Sequence, residues 1–184
     1  MKKYLLICIS LLFVMSISLS VLAENIHFND EIYKLKMPEK ILKSNIEENE
    51  YYKDNENSNQ WTSKIKILYY PDVNNPLKYS NETDKKIESD NKCVLLKFIQ
   101  NKKNDIALIS YLENVSQNNQ SFFVYNIVKF EKHPKKGMME LQFSAKYLVN
   151  SKQDILKMVD ELKNINNDYM ERLIISPIPP IVSK

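Results

Sequence analysis

MMELQFSAKYL, residues 138–148, alternates Met139, Leu141, Phe143, Ala145 and Tyr147 with Glu140, Gln142, Ser144 and Lys146. A strict period of two predicts a β-strand with its apolar set towards a core and its polar set towards solvent. Directly after it, Ser151-Lys152-Gln153-Asp154 is an S-x-x-D capping signal. Behind that signal, Ile155, Val159, Leu162, Tyr169 and Leu173 fall on one face of an amphipathic helix of about 20 residues. A half-buried strand followed by a one-faced helix predicts a sheet roofed by that helix.

Working back from this pair, the segments SFFVYNIVKFE (121–131), DIALISYLE (105–113) and CVLLKFIQ (93–100) are rich in β-branched and aromatic residues. Short polar turns separate them, which predicts antiparallel neighbours. Residues 93–100 are almost wholly apolar, so that strand is expected at the centre of the sheet. Residues 77–91 suggest a short surface helix. TSKIKILYY (62–70) sets Ile65, Ile67 and Tyr69 against Lys64 and Lys66, another half-buried strand, and residues 28–37 form a further one that Pro38 should end. Residues 43–60 are acidic and asparagine-rich and read as a long surface loop. The expected fold class is α+β: a single antiparallel β-sheet of about six strands, packed by a long C-terminal helix and a shorter helix, as an α/β/α sandwich. On this reading the helices cover the apolar face and the other face is polar. The domain runs over 24–175, and Ser176-Pro177-Ile178-Pro179-Pro180 opens a Pro-rich C-terminal tail over 176–184 that favours an extended chain.

The first 23 residues have a different character. Lys2 and Lys3 precede an apolar run from Tyr4 to Met15, and Val21-Leu22-Ala23 closes it with a small residue. Charged head, apolar stretch and small exit are the parts of a secretory signal peptide, with cleavage expected near Ala23. The alternative is an uncleaved anchor, since Tyr4–Ala23 is long enough to cross a bilayer; membrane contact would then be through this segment alone. N-terminal sequencing of the exported product separates the two, because cleavage gives a start at Glu24. Export to the periplasm or medium is the expected localisation.

Composition excludes several functions. Gly137 is the only glycine in 184 residues, which rules out glycine-rich phosphate loops and dinucleotide fingerprints. Net charge is +3, with Lys2 and Lys3 supplying two of those charges, and Arg172 is the only arginine. A nearly neutral, arginine-poor domain gives no reason to expect a nucleic-acid partner. Cys8 lies in the apolar run, so Cys93 is alone in the domain and has no internal disulfide partner; it is expected as a small buried hydrophobe. His27 and His133 stand in no metal-type spacing. Neither a metal, a cofactor nor a catalytic constellation is expected.

Strand, strand, short helix, four strands and a long helix, over residues 28–173, resemble the PsbP-like α/β/α fold. QWTSKIKILYYP (60–71), KFEKHP (129–134) and SPIPP (176–180) also resemble uncharacterised exported proteins of low-GC bacteria. The resemblance implies a binding or accessory module and transfers no functional residue. Two groups of residues are candidates for binding. Tyr51, Tyr52, Trp61 and Tyr70, with Tyr69, form an aromatic set near the acidic segment, where tyrosine and tryptophan can anchor a partner as well as fill a core. Lys132, His133, Lys135 and Lys136, with Lys129, make a basic turn that suits an anionic surface or serves as a charged hairpin tip. The carboxylates Glu47, Glu48, Glu50, Asp54 and Glu56 lack the glycine of a calcium loop. The expected function is that of an exported non-enzymatic binding or accessory protein with a protein partner in the cell envelope. The alternatives are a small periplasmic hydrolase with a cleft under residues 45–60, and an immunity-type inhibitor of a toxin.

Overall fold

In the computed structural model, which describes residues 24–41, 45–117 and 120–182, Met138–Leu148 is a strand in the middle of one antiparallel sheet. The strands in chain order are β1 (Asn25–Phe28), β2 (Glu31–Ile41), β3 (Ile46–Tyr52), β4 (Ser63–Tyr70), β5 (Cys93–Asn101), β6 (Ile106–Gln117), β7 (Gln120–Lys132) and β8 (Met138–Leu148). Helix α1 (Pro76–Ser89) follows β4 and helix α2 (Lys152–Ile175) follows β8. The order across the sheet is β1-β2-β3-β4-β8-β7-β6-β5. Two meanders, β1–β4 and β5–β8, are therefore joined where β8 returns beside β4, with Ile67 opposite Leu141. The class is α+β as expected, with eight strands rather than about six. The signal-peptide reading falls on residues 1–23, outside the described residues; among those described, no helix is long and apolar enough to cross a membrane.

The two additional strands are β1 and β3. Asn29 and Asp30 sit at φ 52° and 62°, the doubly positive turn that asparagine and aspartate tolerate and that joins tight hairpins, so the chain turns from β1 into β2 there. β2 then runs past Pro38 instead of ending at it, and Pro38 pairs with Asn49. β1 covers only Glu31–Lys34, so Pro38 lies on an uncovered edge where a missing N–H leaves no ladder bond unmade. The expected loop over 43–60 is corrected most sharply: Ile46–Tyr52 is a strand paired on both sides. Its acidic residues looked solvated because their lysine partners, Lys64 and Lys66, are adjacent only after β3 and β4 pair. β5 is also corrected. It is the last strand of the order and not a central one, and Val94 and Leu96 stay 56% and 38% exposed. Cys93 is accordingly half-buried.

The strands are apolar on both faces. Leu108, Ile127 and Met139 pack with Met158, Leu162, Met170 and Leu173 of α2. Their sequence neighbours Ile109, Val128 and Met138 pack with Ile87 of α1 and with Leu77 and Tyr79. The helices thus lie on opposite faces, not on one, and the polar set of β8 does not simply face solvent: Glu140 and Ser144 are buried. Each large apolar side chain of α2 buried in this way contributes roughly 1.5–3 kcal/mol. The buried stripe of α2 is displaced from the expected one. Met158 and Met170 take the central positions and Ile155 is left exposed, because methionine fills the irregular space under a helix as readily as a branched residue. The cap is as expected: Ser151 Oγ accepts from Asp154 N, and Asp154 Oδ2 accepts from Ser151 Oγ at 2.9 Å. Helix α1 is capped by Asn75, with Pro76 opening it.

Candidate functional site

The Pro-rich tail has its own site on the face that carries α2. Ser176 ends the helix, with its N–H and hydroxyl both donating to Arg172 O. Lys129, only 2% exposed, projects from β7 and donates from Nζ to Ser176 O at 2.8 Å; Glu131 balances its charge at 2.7 Å. Proline then forbids helix and ladder, and the chain crosses the sheet in extended form. At its far end Val182 N donates to the Asn49 carboxamide oxygen at 2.8 Å, with that amide turned so that its nitrogen meets Glu48 O. Between these two ties Ile178 and Ile181 pack on the core. β1, the tail and the sheet floor enclose a cavity of about 350 Å³. Ile26 and Phe28 form one wall, Ile65 and Leu141 the floor, and Leu173 and Ile178 the opposite wall. Its lining is almost entirely hydrocarbon, with His27 and the prolines among the residues around it.

The opposite face of the same strands carries charge. Lys66 Nζ lies 2.6 Å from Glu48 and 3.3 Å from Glu50, and Lys64 Nζ lies 3.0 Å from Glu50. Tyr52 also donates its hydroxyl to Glu50. Burial raises the Glu50 carboxyl, but the bonds from Tyr52 and Lys64 and the two ammonium charges outweigh it and hold the group below its ordinary value. Burial likewise opposes the charge on Lys66, yet Glu48 and Glu50 hold it above its ordinary value. One strand further, Asn126 Oδ1 accepts from Ser144 Oγ at 2.7 Å and from Gln142 Nε2 at 2.9 Å. At the margin of α1, Tyr70 donates to Glu140 Oε2 at 2.9 Å, and Tyr79 of α1 stacks on Tyr70 and Phe130. Burial pushes Glu140 up to about 7, against the pull of Tyr70 and Lys66. A carboxyl that titrates near neutrality can exchange a proton, but this one is 8% exposed and covered by Tyr70, so no substrate atom reaches it directly.

The aromatic candidates divide accordingly. Tyr51 is fully buried in the α2-side core, and Tyr52 is 1% exposed on the opposite face. Both are core side chains and neither presents a surface to a partner. Tyr70 is occupied by Glu140, and Tyr69 donates to Lys136 O at 3.0 Å. Trp61 is half-buried, with Lys64 Nζ 5.0 Å and Lys146 Nζ 4.4 Å from its ring, and Phe122 lies 4.7 Å from the same Lys146. The structure thus brings Tyr52, Trp61 and Tyr70 to one face with the lysines, and Tyr51 to the other. The basic residues Lys132, His133, Lys135 and Lys136 form the β7–β8 turn. His133 Nδ1 accepts from Lys135 N and Lys136 N at 3.4 Å, and its ring stacks 4.9 Å from Tyr69. Gly137 takes φ +84°, and a Cβ there would sit 2.4 Å from Tyr70 O, so this turn is docked against the end of β4. Among the described residues, no cluster of histidine, cysteine and carboxylate could hold a metal ion. Nothing in the sequence marks the tail pocket as a cavity; the apolar Ile178 between prolines is the one sign that the tail has a buried side.

Comparison with known proteins adds one positive finding: a protein-family model matches residues 20–178. No curated protein and no solved structure matches the chain.

Proposed function

Taking as premise that the chain belongs to the uncharacterised family whose model spans residues 20–178, we propose that it is an exported, non-enzymatic binding protein that takes a small apolar ligand between β1 and its proline-rich tail. The observation that carries this reading is the cavity of about 350 Å³ with Ile26, Phe28, Ile65, Leu141, Leu173 and Ile178 around it. That volume falls within the range of small-molecule sites, which are largely apolar and preformed. The tail suits the role. Proline restricts it before any ligand arrives, so closing over a ligand costs little further chain entropy. The leader of residues 1–23 supports export, and the layering of helix, sheet and helix supports the PsbP-like reading of the fold.

The test is a titration of the purified protein with the fluorescent acyl chain cis-parinaric acid. Saturable binding is expected, and Ile26→Trp, which fills the pocket from β1, should abolish it while leaving the circular dichroism spectrum unchanged. Unsaturable uptake, or equal binding by the filled variant, would overturn the assignment.

A further inference from the structure

A groove of about 570 Å³ lies on the α1 side of the sheet, between the first turn of α1, the β5–β6 turn and the end of β7. Each of these elements brings it one exposed lysine: Lys78, Lys102 and Lys132. Strand alternation explains why Lys132 joins the other two. Val128 and Phe130 pack on the α1 side, so Lys132 emerges there too, while the buried Lys129 serves the opposite face. Gln100 fixes the inner wall. Its Nε2 donates to Leu77 O at 3.0 Å and to Ser80 Oγ at 3.1 Å, which ties β5 to the start of α1. The groove is therefore formed by packed elements before any ligand arrives.

Its charges are not matched from within. Lys78, Lys102 and Lys132 pair with no carboxylate among the described residues. Asp72, just before α1, is taken by Lys136 at 3.8 Å. Among the described residues of the lining, Asp105 is the only carboxylate. The first turn of α1 holds no acidic residue, so the partial positive charge of the helix start adds to the three ammonium groups. The potential they share favours an anion. Its class follows from the donors. Arginine grips a planar carboxylate with a two-pronged fork, whereas lysine acts as a compact point charge. Three point charges on separate elements suit a compact dianion whose charge is spread over several oxygens. We propose that this groove binds a phosphoryl group in its dianionic form, held by Lys78, Lys102 and Lys132, with Asp105 limiting the affinity. The proposal is independent of the tail pocket, which lies across the sheet and takes a different class of ligand.

The test is an NMR titration of the purified protein at pH 8, where a phosphate monoester is a dianion, with inorganic phosphate, glycerol 3-phosphate and acetate as separate probes. Saturable millimolar binding of both phosphates is expected, with amide shifts centred on the first turn of α1, Lys102 and Lys132. Binding should weaken as salt rises from about 0.02 M to about 0.2 M, because the lysines are exposed. Each of Lys78→Gln, Lys102→Gln and Lys132→Gln should weaken it roughly two- to fivefold. Lys157→Gln, which removes the same charge from α2 on the opposite face, should leave it unchanged. Asp105→Asn should tighten binding by a similar factor; Asp105 sits at φ 52°, a conformation asparagine also adopts, so the turn is kept. Co-sedimentation with phosphatidylcholine vesicles, with and without phosphatidic acid, identifies the source of the phosphoryl group. Retention only with phosphatidic acid, lost in the three lysine variants, assigns a lipid headgroup; saturable binding of the free phosphates without retention assigns a soluble ester. The proposal is overturned if neither phosphate saturates, if acetate binds as tightly, if Lys157→Gln weakens binding as much as the groove variants, or if Asp105→Asn fails to tighten it.

Discussion

On the α2 side of the sheet, Ile65, Ile67, Leu141 and Phe143 close on Leu162, Met170 and Leu173. On the other side, the preceding residues of the same strands are Lys64, Lys66, Glu140 and Gln142. The two faces are one residue apart along each strand, yet their stability has different physical origins. The first depends on volume: hydrocarbon is removed from water and the gaps between rings are filled. The second depends on pairing: polar groups have left bulk water and need one another. The contrast predicts that the first face responds to truncation at any pH, and that the second responds to pH and to the loss of a partner.

The largest effect is expected on the apolar side. Phe143 contacts Phe28 at 4.9 Å, Tyr169 at 5.7 Å and Tyr33 at 6.4 Å between ring centroids. Phe143→Ala should cost about 3–5 kcal/mol in urea unfolding, from lost transfer energy and the cavity left behind. That cost should be the same at pH 5 and pH 8, because Tyr33, pushed up to about 12 by burial, and Tyr169, also raised, face the ring and stay neutral over that range; a strongly pH-dependent cost would break the contrast.

A change of opposite sign is expected across the sheet. Glu140 is raised from its ordinary 4.5 to about 7. A group raised by folding contributes stability in its protonated form, and that contribution is lost as pH rises through the folded value. The parent protein should therefore lose on the order of 3 kcal/mol between pH 4.5 and pH 8 from this residue. Glu140→Gln can still accept the Tyr70 hydroxyl and cannot ionise. It should be more stable than the parent at pH 8 by up to about 3 kcal/mol, with the advantage gone near pH 4.5. Thermal melts of both proteins across that range would decide it, and a variant less stable at pH 8 would refute the burial of an ionising carboxyl.

What the sequence discloses follows the same division. The apolar face is legible because hydrophobic periodicity is a local signal: residues 138–148 and the Ser151 cap are where the pattern puts them. The paired face is not, because its signal is spread over two strands. Glu48 and Glu50 look like a solvated loop until Lys64 and Lys66 are set beside them by the β3–β4 register. The long apolar run of β5 says that the segment is a strand but carries no information on whether the strand is central or at the edge. Of the candidate site residues, Tyr51 and Tyr52 are adjacent in sequence and emerge on opposite faces, which period-two alternation already implies. The Asn29 amide, which finds no partner among the described residues, has no sequence signature at all. Asparagine at positive φ is what a hairpin wants, and only the enclosure of its side chain sets it apart.

The smallest of the three effects tests the paired face most directly. Lys66 stands between Glu48 and Glu50, with side chains 24%, 13% and 19% exposed. Partial exposure screens the interaction, so the loss of Lys66 should cost less than a fully buried ion. Lys66→Met keeps most of the volume and removes the charge, leaving two carboxylates on one strand with Lys64 as their only close cation among the described residues. About 1–2 kcal/mol should be lost at pH 7. The pH dependence has a definite sign. Glu50 is lowered by folding, so its contribution is present above the ordinary carboxylate value and fades as pH falls through the folded one. The deficit of Lys66→Met should therefore shrink in acid, where the Glu50 carboxylate it abandons becomes neutral. Combining it with Glu48→Gln should cost less than the sum of the two single changes, because each removes the partner of the other. If the two costs simply add, Lys66 and Glu48 act through packing, and the faces differ in composition without differing in what holds them.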